Sequence, residues 1–189
     1  MTEYLPKDSK IKIGLLDGYE HITIPYGNAG ILRFLIAIFL IFWLGGWSMG
    51  FMSALKGISS GKGGVFLICW LGGWSLGGIF ALYFLFRLFR KSTPFQIVLN
   101  KPNLAIDTGI PPFKMNFTMT NQKDYWKTMF PKRKKIEFTH DEMKSLKLRE
   151  TDSGNRLTID KGSDRIDIAS SATEIEKEWL YNYLDSNYS

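Results

Sequence analysis

The sequence predicts a membrane α-helical hairpin followed by an α+β or all-β soluble domain, an antiparallel barrel of about seven strands with a C-terminal capping helix. Three observations carry that expectation. No Asp or Glu occurs anywhere between Ile31 and Lys91. Two apolar runs within that stretch, 31–55 and 64–89, are separated only by a short connection rich in Gly and Ser. Beyond residue 92, apolar residues alternate with polar ones in short runs broken by Asn, Asp, Gly and Pro.

Each apolar run is long enough to cross a hydrocarbon layer of about 30 Å at about 1.5 Å per residue. Neither carries a charge in its central twenty residues. The short connection makes the two helices antiparallel neighbours. A cleaved signal peptide does not fit the first run, because a mixed-charge stretch of thirty residues precedes it. The net charge of +6 sits almost entirely here. Residues 1–30 carry three Lys against four acids, 31–91 carry six basic residues and no acid, and 92–189 carry fifteen basic residues against fourteen acids. Positive charge placed this way marks helix ends at a membrane interface, not a nucleic-acid footprint. Arg33 opens the first run and Arg87, Arg90 and Lys91 close the second, against Lys56 and Lys62 in the connection. The positive-inside rule then puts both termini in the cytoplasm. The lone Cys69 lies in an apolar run and forbids an intrachain disulfide or a cysteine zinc cluster.

The hairpin contains a repeat. Trp43-Leu-Gly-Gly-Trp47-Ser-Met-Gly50 is echoed by Trp70-Leu-Gly-Gly-Trp74-Ser-Leu-Gly77, and each copy continues to an alanine. Gly46, Gly50 and Ala54 therefore share one helix face, as do Gly73, Gly77 and Ala81. Small residues at that spacing let membrane helices approach closely, as a packing or oligomerisation seam. Pairing Leu55 with Gly64 across the connection brings Gly46 opposite Gly73. Trp43, Trp47, Trp70 and Trp74 are expected to pack around this seam. A quinone or cofactor cradle would want a His or acidic partner beside them, and none is present, so no cofactor is expected. Within the repeat, Ser48 and Ser75 are the hydroxyl candidates to line a pore, and the ionisable groups that mark ion pathways are missing.

In the soluble part, strands are expected over Phe95–Leu99 and Leu104–Thr108 around an Asn100-Lys-Pro-Asn103 turn, over Lys114–Met119, over Lys135–Thr139, and around Leu146/Leu148, Leu157/Ile159 and Ile166/Ile168. Asp152-Ser-Gly-Asn155 and Lys161-Gly-Ser163 supply hairpin chemistry. Ser171 with Glu174 reads as a capping box for a final helix with an apolar stripe of Ala172, Ile175, Trp179 and Tyr183. Residues 10–24 read as a further short hairpin that can join the edge of the barrel. The chain thus divides into an N-terminal segment (1–30), a two-helix hairpin (31–91) and a soluble domain (92–189).

Seven strands followed by a capping helix is the element order of a pleckstrin-homology-like (PH-like) barrel. With the two Trp-Leu-Gly-Gly-Trp copies, and the tail from Arg156-Leu-Thr-Ile-Asp through Asp164-Arg-Ile-Asp-Ile to Glu178-Trp-Leu, the chain resembles bacterial membrane proteins of uncharacterised role. Those proteins pair two Trp-Leu-x-Gly-Trp spans with a PH-like cytosolic domain. The resemblance implies an inner (cytoplasmic) membrane location. It does not extend to inositol-lipid recognition, because the turn joining the first two strands offers only Lys101.

The one stretch suggesting a ligand runs from Lys123 to Lys135. Trp126 lies beside Lys123 and Lys127, and Lys132, Arg133, Lys134 and Lys135 follow. Aromatic residues among basic ones suit an anionic membrane surface or a phosphate-bearing ligand, against the plainer reading of a solvated loop. His140-Asp141-Glu142 reads as a turn before a strand, since adjacent residues do not converge on one face. Asp152, Asp160 and Asp164 lie in or beside turns and show no metal-loop spacing. No catalytic or metal-binding residue is expected. Membrane lipid is the expected environment, and a second copy or a larger membrane complex the expected partner, with nucleic acid disfavoured. The leading reading is a non-enzymatic scaffold or accessory subunit. Its alternative is a nucleotide- or ligand-gated membrane effector of the antiviral-defence type. A lipid-acting enzyme comes third, for want of a polar constellation.

Overall fold

Alternation of apolar and polar side chains makes a strand with one buried face. In the computed structural model, which describes residues 5–27, 30–113, 129–152 and 154–188, this pattern resolves into β1 (Lys12–Leu16), β2 (Tyr19–Ile24), β3 (Phe95–Asn100), β4 (Asn103–Asp107), β5 (Lys135–Phe138), β6 (Lys147–Arg149), β7 (Arg156–Lys161) and β8 (Asp164–Ile168). They form two antiparallel sheets, one in the order β1-β2-β3-β4-β5 and one in the order β6-β7-β8. The expected closed barrel is therefore not formed among the described residues. β5 is followed by a short helix, α3 (His140–Met143), and β6 bonds only β7. That helix also replaces the turn expected at His140. The strand expected over Lys114–Met119 lies outside the described residues.

The hairpin read in residues 10–24 does join the sheet. β2 pairs with β3 in a register that sets Ile22 against Ile97 and Ile24 against Phe95. Ile97 in turn opposes Ile106, and Ile106 opposes Ile136. One row of isoleucines thus crosses four strands on the buried face, where β-branched side chains pack well. Leu157, Ile159 and Ile168 of the smaller sheet belong to the same core, together with Trp179, Leu180 and Leu184 of α4 (Glu174–Tyr188).

α4 starts differently from expectation. Both Ser171–Glu174 and Thr173–Glu176 fit the capping-box pattern, and the second is the one formed. The Thr173 N–H donates to Glu176 Oε2 at 2.8 Å, and the Glu176 N–H returns to Thr173 Oγ1 at 3.3 Å. Glu176 Oε1 also accepts from Ser9 Oγ and the Lys10 N–H, at 2.9 and 2.8 Å. Those two bonds tie the N-terminal segment to the helix, and Ser171–Glu174 offers no such tertiary contact. The buried face rotates accordingly. Ile175 is exposed, while Glu176, Trp179, Leu180, Leu184 and Tyr188 are buried. Burial alone would push the Glu176 carboxyl up, but its hydrogen bonds from Thr173, Lys10 and Ser9 outweigh that and hold it below the usual range.

The two long helices are α1 (Leu32–Ser59) and α2 (Val65–Phe89). Their 28 and 25 residues span about 42 and 37 Å at the α-helical rise. Only 6% and 17% of their most apolar stretches are buried within the chain. The core helix of a soluble domain shows the opposite, an apolar stripe covered by its neighbours.

The chain divides into two compact units. One holds both sheets with α3 and α4; the other holds α1 and α2 together with Phe113, Met129 and Phe130.

Candidate functional site

The crossing of α1 and α2 is set by one tryptophan and one glycine. A side chain begun at Gly78 would meet the Trp47 ring at 2.2 Å (Cζ2), 2.5 Å (Cε2) and 2.7 Å (Cη2). The ring therefore lies directly against the backbone of α2. From there its Nε1–H donates to the Trp74 carbonyl at 3.1 Å, and the ring stacks on Phe51 at 5.2 Å between centroids. A polar hydrogen in an apolar medium needs such an acceptor, and the carbonyl's second lone pair serves. This corrects the expected register. Gly46 does not meet Gly73, because Trp47 occupies the crossing with Gly78 as its seat. Gly46, Gly50, Gly73 and Gly77 have nothing within 4 Å of where a side chain would start. Ala81 is buried, whereas Ala54 is only partly covered.

Trp70 stacks on Trp74 at 4.5 Å. Together with Trp43, Cys69, Gly73 and Gly77 they line an open cleft of about 360 Å³ on the flank of the crossing. The residue missed in the sequence is Gly78. Its signal was the doublet Gly77-Gly78, since the first copy of the repeat has Phe51 at the corresponding place.

A second cluster forms near the other ends of these helices. Ala37 of α1 and Phe84 and Leu88 of α2 pack with Phe113 and Met129. Phe84 meets Phe113 edge-on at 5.0 Å, and Tyr83 stacks on Phe130 at 5.0 Å while its hydroxyl donates to the Met129 carbonyl at 3.1 Å. Arg87, expected at a membrane interface, is only 1% exposed, and its guanidinium sits 6.0 Å from the Phe113 ring. Arg33 lies over the Phe34 ring at 4.7 Å, and Arg90 and Lys91 are exposed.

The basic tract is split. Lys123, Trp126 and Lys127 lie outside the described residues. Arg133 is committed to Asp107, with Nε 2.9 Å from both carboxylate oxygens and Nη2 2.7 Å from Oδ2. Those bonds, with one from the Gly109 N–H, hold the Asp107 carboxyl below its usual range against the opposing effect of burial. The pair closes the neck of the sheet where the Lys134 N–H bonds Thr108 Oγ1 and the Thr108 N–H bonds the Lys134 carbonyl. Lys132, Lys134 and Lys135 stay exposed.

The remaining polar groups have local roles. Glu142 forms a capping box with Thr139, and Asp141 pairs with Lys144 at 2.7 Å. Asp160 accepts from Arg165 at 2.9 Å. Among the described residues, no three His, Cys, Asp or Glu side chains converge to hold a metal ion.

The elements together define a class: an antiparallel pair of helices long and apolar enough to cross a membrane, joined to a mixed sheet-and-helix domain. Comparison with known protein families, with characterised proteins and with solved structures finds no match beyond that description.

Proposed function

We propose that this chain is a non-enzymatic integral membrane scaffold or accessory subunit. The hairpin anchors it in a bacterial cytoplasmic membrane with both termini in the cytoplasm, and assembles with other hairpins through its glycine faces. The sheet domain, read as PH-like from its two antiparallel sheets and C-terminal helix, offers a surface to a protein partner or to the membrane surface. The observation that carries this reading is that the glycine repeats are not spent inside the hairpin. Trp47 on Gly78 makes the crossing, and Gly46, Gly50, Gly73 and Gly77 are left open. A lipid-exposed face of small residues suits a second helix better than it suits acyl chains, because backbones approach closely there. The nucleotide-gated alternative has less support than its sequence suggested, since Arg133 is already held by Asp107.

The test follows from the same openness. A side chain begun at Gly46 or Gly73 meets no atom within 4 Å, so Leu at these positions is expected to act mainly between copies. Loss of the oligomer in mild detergent, with unchanged helicity, is the expected outcome. An unchanged oligomer size overturns the proposal.

A further inference from the structure

The five-stranded sheet has two edges, and they are treated differently. β5 carries Lys135 and Glu137, and the Lys161 ammonium donates to the Glu137 carbonyl. Charges and a capped carbonyl are how an edge strand is kept from pairing. β1 has no such protection. Among the described residues it bonds only β2, and all five of its residues are exposed. Leu15 is 79% exposed, with Ile13 at 40% and Leu16 at 47%. Its single charge, Lys12, lies at one end.

The turn that ends β1 fixes which backbone groups face outward. Asp17 and Gly18 both have positive φ, +51° and +85°, and Leu16 opposes Tyr19. A two-residue turn of this kind closes on a hydrogen-bonded pair, and pairs alternate from there. Leu16, Gly14 and Lys12 therefore turn their N–H and C=O groups toward β2. Ile13 and Leu15 turn theirs to the open edge.

We infer that β1 is the pairing edge for β1 of a second copy of this chain, antiparallel about a two-fold axis through Gly14. The register is self-complementary. Ile13 of each copy then opposes Leu15 of the other, so both outward-facing residues exchange hydrogen bonds. The same alignment places two Ile13 and two Leu15 side chains on one face. Gly14 meets Gly14 on the axis, where a side chain would have to face itself. Lys12 opposes Leu16, so no like charges meet. Sliding the strands by two residues in either direction loses part of this pairing.

A five-residue strand buries less than the roughly 800 Å² per partner of a standard interface. The contact therefore depends on the effective concentration supplied by the membrane-anchored, assembling hairpin proposed above, and rests on that reading.

The experiment uses the full chain with Cys69→Ala, reconstituted in liposomes. Opposed residues of a non-hydrogen-bonded antiparallel pair have Cα atoms about 4.5 Å apart, within disulfide reach, and Gly14 has room for a side chain. Mild oxidation of Gly14→Cys is expected to yield a disulfide dimer, while Lys135→Cys on the protected edge yields none. Adding Leu15→Lys to Gly14→Cys is expected to lower the dimer yield at least tenfold. Equal yields at positions 14 and 135 mean random collision and overturn the inference. So does a monomeric Gly14→Cys protein whose thiol is shielded from a water-soluble maleimide, which assigns the edge to lipid or to another protein. Gly73→Cys, oxidised in parallel, separates the two readings. A dimer at 73 without one at 14 leaves hairpin assembly standing and removes the sheet contact. No dimer at either position removes both.

Discussion

Gly78→Ala puts the smallest possible side chain where the hairpin has no room for one. The new carbon would start 2.2 Å from the Trp47 ring, against an optimal carbon–carbon separation of about 3.5–4.0 Å, so the ring must retreat by more than about 1 Å. Overpacking of this kind costs about 1–3 kcal/mol. Retreat also breaks the bond from Trp47 Nε1 to the Trp74 carbonyl, worth about 0.6 kcal/mol on average between membrane helices. Replacing glycine by alanine within a helix returns about 0.5–1 kcal/mol, leaving a net loss of about 1–3 kcal/mol. Gly77→Ala, one residue away, meets no atom within 4 Å and keeps only the propensity gain. The propensity gain is common to both, so the two variants should differ by about 2.5 kcal/mol, a factor of about seventy in the unfolding equilibrium. Titration of dodecyl maltoside micelles with sodium dodecyl sulfate, followed by tryptophan fluorescence and circular dichroism, reads this directly. In a Trp47→Leu background the penalty at Gly78 should largely vanish, a coupling that a double-mutant cycle measures. Equal unfolding midpoints for Gly78→Ala and Gly77→Ala would refute the reasoning.

Other expectations concern the sheet domain and the second aromatic cluster. Glu176→Gln should cost about 1–2 kcal/mol at neutral pH, through weakened charge-assisted bonds to Ser9, Lys10 and Thr173. Because the folded carboxyl is held low, the stability it contributes is present above the ordinary value of 4.5 and lost as pH falls through the folded value. The two proteins' thermal midpoints should thus converge in acid. Arg133→Gln should move the Asp107 titration, followed by carboxyl-carbon NMR, up toward the ordinary 3.8. The destabilisation it causes should likewise fade below that pH. Leu180→Ala, at a fully buried site, should cost about 2–5 kcal/mol in denaturant unfolding. Ile175→Ala, on the exposed side of the same helix, should change stability by less than about 0.5 kcal/mol. Phe84 and Phe113 should show a coupling of about 0.5–1.5 kcal/mol in a double-mutant cycle on the detergent-solubilised protein.

What the sequence made legible follows from how local each signal is. Absence of acidic residues over 31–91 reports the medium around a helix, and no partner is needed to read it. Alternation located most strands for the same reason, including the early pair around Ile13 and Ile22. Their attachment to β3 depends on a match of isoleucine rows across the intervening helices, which a window of residues does not contain. The helix crossing was misplaced because two Gly-x-x-x-Gly-x-x-x-Ala trios stand out, while the deciding contact is a single Trp47–Gly78 pair. Hydropathy marks Arg87 as a helix-end charge but does not register that it is buried there, near Phe113. Arg133 looked available because Asp107 lies 26 residues away in sequence. The α4 cap had two equal candidates in the sequence, and the choice fell to the one whose glutamate also holds Ser9 and Lys10.

The repeat has a final consequence. Up to Phe51 and Gly78 its two copies differ only in the apolar pair Met49 and Leu76, and the change from Phe51 to Gly78 lets Trp47 sink against the opposite backbone while Trp74 has no matching seat. The Trp74 indole N–H is buried without an acceptor among the described residues. Two near-identical motifs thus play unequal parts in one hairpin. A neighbour arriving at the cleft meets the seated Trp47 and, beside it, a Trp74 indole N–H with no acceptor next to bare Gly73 and Gly77.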